Sequence, residues 1–275
     1  MASNAKQLKN RIRSVSSTMH ITKAMELVAS SKLRRATTQM ESARPYFSSM
    51  LSVMSKLAKA DSVYSTAREV KKSCYIVIAG DRGLAGGYNS NIYKLLKSQT
   101  DGKDAVVIPI GKRAADHVSR RGYESVKQYT SVENMTLSQC AEIGVAIKNM
   151  YAGGEIDEVY IIYTKYNSIL SYEPMVKKIL PIETNGEETS GGYVLFEPST
   201  EAVLETVIPE YISGIVCGAV HESFASELSA RRTAMDNASK NASEMIEDLE
   251  LKYNRARQGA ITQEITEIIG GSNIS

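Results

Sequence analysis

The stretch Gly80-Asp-Arg-Gly-Leu-Ala-Gly-Gly-Tyr-Asn89 is the first place where residue types and spacing could do chemistry. A glycine-rich turn between a strand and a helix can cradle a pyrophosphate on backbone N–H groups. The glycines stand at 80, 83, 86 and 87, which is not the dinucleotide fingerprint. The Lys-Ser/Thr ending of a P-loop is also missing. A tight structural turn accounts for it better than a phosphate site. The three histidines, His20, His117 and His221, are far apart, with no His-x-x-x-His and no Gly-x-Ser-x-Gly. Cys74, Cys140 and Cys217 are odd in number and widely spaced, giving neither a disulfide framework nor a zinc spacing. That usage fits a reducing compartment. Carboxylates are scattered singly, and nothing in the residues calls for an enzyme, a metal or a cofactor.

The elements around these residues carry more information. Residues 1–60 hold eleven Lys/Arg against two acids, whereas the whole chain has a net charge of only +2. The basic excess is therefore concentrated in one segment. Stepping by four and three from Leu8 gives Ile12, Val15, Met19, Thr22, Glu26, Ala29, Leu33, Ala36, Met40, Ala43, Phe47, Met50, Met54 and Leu57. Thirteen of these fifteen positions are apolar, a heptad seam over some fifty residues. Pro45 predicts a kink or split. At Thr22 and Glu26 the seam turns polar, and Ile21, Met25 and Val28 carry the apolar residues sideways. This reads either as a stutter or as an outward contact with a third partner.

The other end of the chain has a matching seam: Met235, Ala238, Ala242, Met245 or Ile246, Leu249, Tyr253, Ala256 and Ala260. A helix of some sixty residues spans roughly 90 Å, several times what a compact domain needs. Two such ends flanking a folded middle predict an antiparallel two-helix coiled coil. Thr200 can cap a short helix over residues 201–207, with Pro209 bending or ending it before the long rod.

Between residues 72 and 200 the period changes. Strands at 74–79, 105–110 and 158–164 alternate with helices near 90–98, 112–121 and 136–151, implying a largely parallel, Rossmann-like sheet. Further strands are expected at 175–182 and 193–196, around a polar loop at 183–192. The fold class is therefore α/β: a long antiparallel coiled coil from residues 1–61 and 209–275, with an α/β domain over 72–200. No run of about eighteen apolar residues and no signal-peptide core is evident.

The final stretch, Tyr253-Asn-Arg-Ala-Arg-Gln-Gly-Ala-Ile-Thr-Gln-Glu-Ile-Thr-Glu-Ile-Ile-Gly-Gly271, resembles the C-terminal signature of the γ subunits of F-type ATP synthases, bacterial type. Ile21-Thr-Lys-Ala-Met-Glu-Leu-Val-Ala-Ser-Ser-Lys-Leu33, Asp81-Arg-Gly-Leu-Ala-Gly-Gly-Tyr-Asn-Ser-Asn91 and Ser226-Glu-Leu-Ser-Ala-Arg231 with Ala234-Met235 are similar to the same family, in the same order. The resemblance implies a non-catalytic central rotor shaft. Its terminal helices would stand inside the α3β3 ring, and its globular part would meet the ε subunit and the membrane c-ring. It implies β-ring contacts at Met25, Arg231, Arg257, Gln258, Thr262 and Glu264, and a c-ring foot at Phe196 and Glu197. Val194 stands where the family often has an aromatic residue, and Ala85 where many members have cysteine. The cysteine-bearing regulatory insertion of the chloroplast form is absent, so thiol control is not expected.

A physical reading stands beside the resemblance. After Glu267 the chain has no charged side chain, as suits a tip turning in an apolar collar. Arg257-Gln258 would then be the clutch. Without a leader before the first helix, the expected location is the cytoplasmic face of a bacterial membrane, peripheral and held through the c-ring. The alternative is a basic coiled coil that binds nucleic acid through phosphates, although only Tyr46 and Phe47 supply aromatic faces there.

Overall fold

A computed structural model of the chain describes residues 2–57, 62–182, 197 and 199–272. Ten elements follow one another: α1 (Ala2–Leu57), β1 (Ser73–Ile78), α2 (Tyr88–Thr100), β2 (Ala105–Ile110), α3 (Lys112–Arg121), β3 (Glu124–Ser125), α4 (Leu137–Ala152), β4 (Glu158–Ser168), β5 (Ser171–Leu180) and α5 (Thr200–Ser272). Two compact units emerge, both dividing within the long helices: residues 1–30 with 231–275, and residues 31–230. The expected strand at 193–196 and the loop at 183–192 lie outside the described residues.

The larger unit is built on a five-stranded sheet of order β3-β2-β1-β4-β5. The first four strands run parallel, and β5 returns antiparallel to β4 as a hairpin. That hairpin is longer than the sequence suggested, because the polar end of β4 (residues 165–168) pairs with residues 171–173 and needs no apolar face. β1 is buried on both sides, as a central parallel strand must be. Cys74, Ile76 and Ile78 face a core shared with α4 and the long helices, while Tyr75, Val77 and Ala79 face α2 and α3. Pro109 is tolerated inside β2 because its carbonyl, and hence its nitrogen, faces the β3 side. There Tyr129 N donates to the Pro109 carbonyl at 3.0 Å. Thr136 and Gln139 form a capping box at the start of α4.

Within this unit the lower parts of α1 and α5 run antiparallel. Leu33 and Ala36 pack on Ala225 and Leu228, and further along Phe47 and Met50 share a cleft of about 220 Å³ with Tyr211, Ile215 and Gly218. Neither expected proline break occurs. Pro45 sits inside an unbroken α1 and Pro209 inside an unbroken α5. Pro45 and Glu41, whose carbonyl loses its donor, are both exposed, so the freed group faces water. Around Pro209, Leu204 and Ile208 before it and Tyr211 and Ile212 after it lie in one core, which holds the helix through the missing bond. The cap of α5 is Ser199, whose Oγ accepts from Ala202 N at 3.2 Å; Thr200 is already helical. An eighteen-residue window within Thr200–Gln263 reaches a mean hydropathy of 1.5 without being an unbroken apolar run. Half of that window is buried, as befits a core helix.

The chain between α1 and β1 is pinned by one network. The Arg68 guanidinium lies over the Tyr151 ring, 4.4 Å from its centroid, with Nε 2.8 Å from Asp157 Oδ1. It also donates to the Tyr151 carbonyl at 3.0 Å and to that of Ile156. Asp157 Oδ2 accepts from the backbone N–H groups of Lys71 (2.8 Å) and Lys72 (3.0 Å). These bonds, that from Lys72 foremost, hold the Asp157 carboxyl below the usual carboxylate range despite burial.

Candidate functional site: the paired terminal helices

The smaller unit is where the two ends of the chain meet. Thr22 and Ser239 place their hydroxyls 2.7 Å apart, and either can donate. The heptad register does not stutter there, as one reading of the sequence had it. All fifteen seam positions from Leu8 to Leu57 are buried or half-buried. Thr22 stays in the seam because Ser239 and the Met19 carbonyl satisfy its hydroxyl. Glu26 stays because Lys23 reaches it at 2.7 Å. On α5 the seam runs through Met235, Ser239, Ala242, Ile246 and Leu249, with Ile246 rather than Met245 turned inward.

The outer face is unusually apolar. Ile21, Leu27 and Val28 are 57–60% exposed, with Met25 half-buried among them. Exposed apolar patches of this kind mark partner surfaces. Farther along α5, Arg257, Gln258 and Thr262 are exposed on consecutive turns, Thr262 Oγ donating to the Gln258 carbonyl at 3.0 Å. Beside them Ile261, Ile265 and Ile269 are exposed at steps of four, forming an apolar stripe. With Thr22 opposite Ser239, the Arg257–Thr262 turns lie about 30–40 Å along α5 from the level of Met25. The residues singled out thus form two patches, not one site. Arg231 is half-buried on α5 and Glu197 is exposed. Phe196, Val194 and the side chain of Glu264 lie outside the described residues.

The basic excess is partly neutralised. Lys23 pairs with Glu26, and in the larger unit Lys32 pairs with Glu133 at 2.6 Å. Lys6, Lys9, Arg11 and Arg13 remain exposed near the start of α1.

The glycine-rich turn is a docking feature of the larger unit. A Cβ at Gly80 would come within 2.6 Å of the carboxyl carbon of Glu227, which is 3% exposed on α5. A carboxylate thus stands against the end of β1, where a bound phosphate would have to lie, and like charge disfavours one. Asp81 ties the turn to its neighbours, accepting from Val132 N at 2.9 Å and Lys112 N at 3.2 Å. Asn89 Oδ1 accepts from Gly80 N at 2.9 Å.

The histidines are not assembled into a site. His117 stacks on Tyr93, centroids 4.0 Å apart, and burial lowers its pKa. His20 is exposed on α1, and His221 lies one turn from Cys217 on α5. The fold does bring Cys140 of α4 beside Cys217, although 77 residues separate them and no spacing motif could reveal it. The Cys74 thiol is pushed up to about 12 by burial.

Comparison with known proteins gives this geometry its context. A family model described as ATP synthase matches residues 4–273. The ATP synthase gamma chain of Moorella thermoacetica is 44% identical over 275 residues, covering 98% of each chain. The Acetobacterium woodii protein named ATP synthase gamma chain, sodium ion specific, is 42% identical over 298 residues, covering 99% of each. Among solved structures, a chain of the central stalk and c-ring of the Tetrahymena thermophila mitochondrial ATP synthase superposes with a TM-score of 0.64 at 25% identity. It covers 80% of this chain and 99% of that one. A chain of the Euglena gracilis mitochondrial ATP synthase, in an assembly of OSCP, F1 and c-ring, gives 0.75 at 18% identity, covering 99% and 95%; at that identity the likeness is one of fold. None of these supports the nucleic-acid alternative. Matched over nearly its whole length by the family model and by full-length relatives, the chain belongs to the ATP synthase gamma chain family.

Proposed function

We propose that this chain is the central rotor shaft of an ATP synthase, passing rotation between a membrane c-ring and the catalytic subunits without performing chemistry itself. The observation that carries the reading is the paired helix ends of the smaller unit, which keep a continuous seam while exposing Ile21, Leu27, Val28, Ile261, Ile265 and Ile269 outward. A shaft that turns inside a ring needs contacts that are weak, numerous and nondirectional, which apolar side chains supply. The names of the relatives and the assemblies in which the structural neighbours stand support the same reading.

In this account Met25 and Arg231 act as contacts with the ring at one level. Arg257, Gln258, Thr262 and Glu264 act at another, with Arg257-Gln258 as the clutch beneath a tip that has no charged side chain. Phe196 and Glu197 are the foot toward the c-ring, and the ε subunit docks on the α/β part. The domains are the helix of residues 1–61, the α/β body of 72–200 and the return helix of 209–275. The complex works at the cytoplasmic face of a bacterial membrane, with this chain peripheral to it.

The test is reconstitution. Added to α and β subunits on membrane vesicles that hold the ion-translocating part, the chain should restore ATP-driven ion uptake. Arg257→Ala with Gln258→Ala should lower uptake while leaving assembly intact. ATP hydrolysis restored without any ion uptake would contradict the rotor reading.

A further inference from the structure

The buried face of α5 changes character within the larger unit. From Leu204 to Val220 it is apolar apart from Ser213, with Leu204, Ile208, Ile212, Val216 and Val220 all buried. Over the next two turns polar groups crowd in among the buried Ala225, Leu228 and Ala230: Ser223, Ser226, Glu227 and Ser229 are each 3% exposed or less. Buried polar groups at that density are costly unless each finds a partner. Backbone groups of the α/β body supply several of the partners.

Val77↔Ile162 is the last pair joining β1 to β4. Thr164, two residues further, has no strand on that side, and α5 takes the strand's place. Thr164 N donates to Ser223 Oγ at 3.2 Å, and Ser226 Oγ donates to the Thr164 carbonyl at 3.3 Å. Tyr88 of α2 donates to the Ser223 carbonyl at 3.0 Å, and Ser229 donates to the Ile169 carbonyl in the hairpin turn. Glu227 closes against Gly80 in the turn before α2. Two turns of one helix are thus held at four places on the body, immediately before the division between units at residue 231.

Apolar contact is nondirectional, so a helix twisted about its own axis trades one apolar neighbour for another. Hydrogen bonds weaken steeply with misalignment. Resting on the rotor reading, we propose that Ser223, Ser226, Glu227 and Ser229 form the torque-bearing joint that passes rotation from the α/β body into α5. They are positioning residues and touch neither nucleotide nor ion.

The test uses the assembled complex of this chain with α and β subunits, the ring fixed to a surface and a bead attached through Lys103→Cys on the α/β body. Torsional stiffness between bead and ring is read from the spread of bead angles in a paused state. In the Ser223→Ala/Ser226→Ala variant the stiffness should fall about twofold or more, because both bonds to Thr164 are gone. Unloaded ATP hydrolysis should stay at the parent level. Should the double variant fail to assemble, Ser226→Ala alone should give a smaller drop of the same sign. Unchanged stiffness in whichever variant assembles overturns the joint while leaving the rotor reading intact. A parent complex that hydrolyses ATP with a motionless bead overturns the rotor reading, and the joint with it.

Discussion

Thr22 and Ser239, 217 positions apart in sequence, share a hydrogen bond 2.7 Å long in the seam between α1 and α5. The contact fixes the pairing register of the two chain ends at the one level where the seam turns polar. Each hydroxyl also meets a carbonyl of its own helix, Met19 for Thr22 and Met235 for Ser239. With two protons for three contacts, one hydroxyl donates across the seam and the other to its own helix; removing either one breaks the cross-seam bond and leaves the remaining hydroxyl only its own carbonyl.

A double-mutant cycle measures this. Thr22→Val and Ser239→Ala should each cost about 1 kcal/mol, and the double variant should cost less than their sum, with a coupling of about 0.5–1.5 kcal/mol. Denaturant unfolding of the parent and the three variants reads it out. Strictly additive losses would mean that the hydroxyls do not act as a pair.

Gly144 of α4 packs directly against the backbone of α5 at Pro209. A Cβ at Gly144 would sit 2.3 Å from the Pro209 carbonyl oxygen and 3.3 Å from Ser213 N. Backbone stands on that side, so nothing there can swing away. Gly144→Ala should destabilise by about 2–3 kcal/mol through overpacking, against the gain in helix propensity that alanine normally brings. Thermal unfolding checks it, and an unchanged or raised Tm would contradict so close an approach.

Asp157 and Glu222 give opposite pH responses. The Asp157 carboxyl is held down by the Lys72 and Lys71 N–H groups and Arg68. Its contribution is present above the unfolded pKa and is lost as pH falls through the lower folded value. Glu222, lining the cleft with Lys177 and Tyr211, is pushed up by burial, which outweighs the nearby cations. It disfavours the fold once pH rises past the unfolded carboxylate range. Asp157→Asn should therefore lower Tm at pH 7, with the deficit shrinking toward acid. Glu222→Gln should raise Tm at pH 8, with the gain likewise shrinking toward acid. Melting curves between pH 4 and 8 decide both signs.

Much of this was legible in the sequence, for particular reasons. The α1 seam obeys one period from Leu8 to Leu57, and the strands 74–79 and 105–110 are apolar runs with turn residues at their ends. What stayed hidden depends on tertiary contact. Nothing local distinguishes a proline that breaks a helix from Pro45, whose freed carbonyl faces water, or Pro209, whose helix is held by packing on either side. The serines at 223, 226 and 229 read as an ordinary polar helix face until Thr164 is seen to lack a neighbouring strand. The glycine turn is compatible with a phosphate site until Glu227, some 147 residues later, arrives beside it. Among the interaction residues, motif likeness named Arg257, Gln258 and Thr262, while periodicity alone could have found the Ile261–Ile265–Ile269 stripe beside them.

The most direct measurement of the central claim is rotation itself. With the α3β3 ring immobilised and a bead on Lys103→Cys, adding ATP should make the bead turn continuously in one direction, in steps whose rate follows ATP concentration. ATP hydrolysis by the same complexes with the bead fixed, or wandering without direction, would contradict the account.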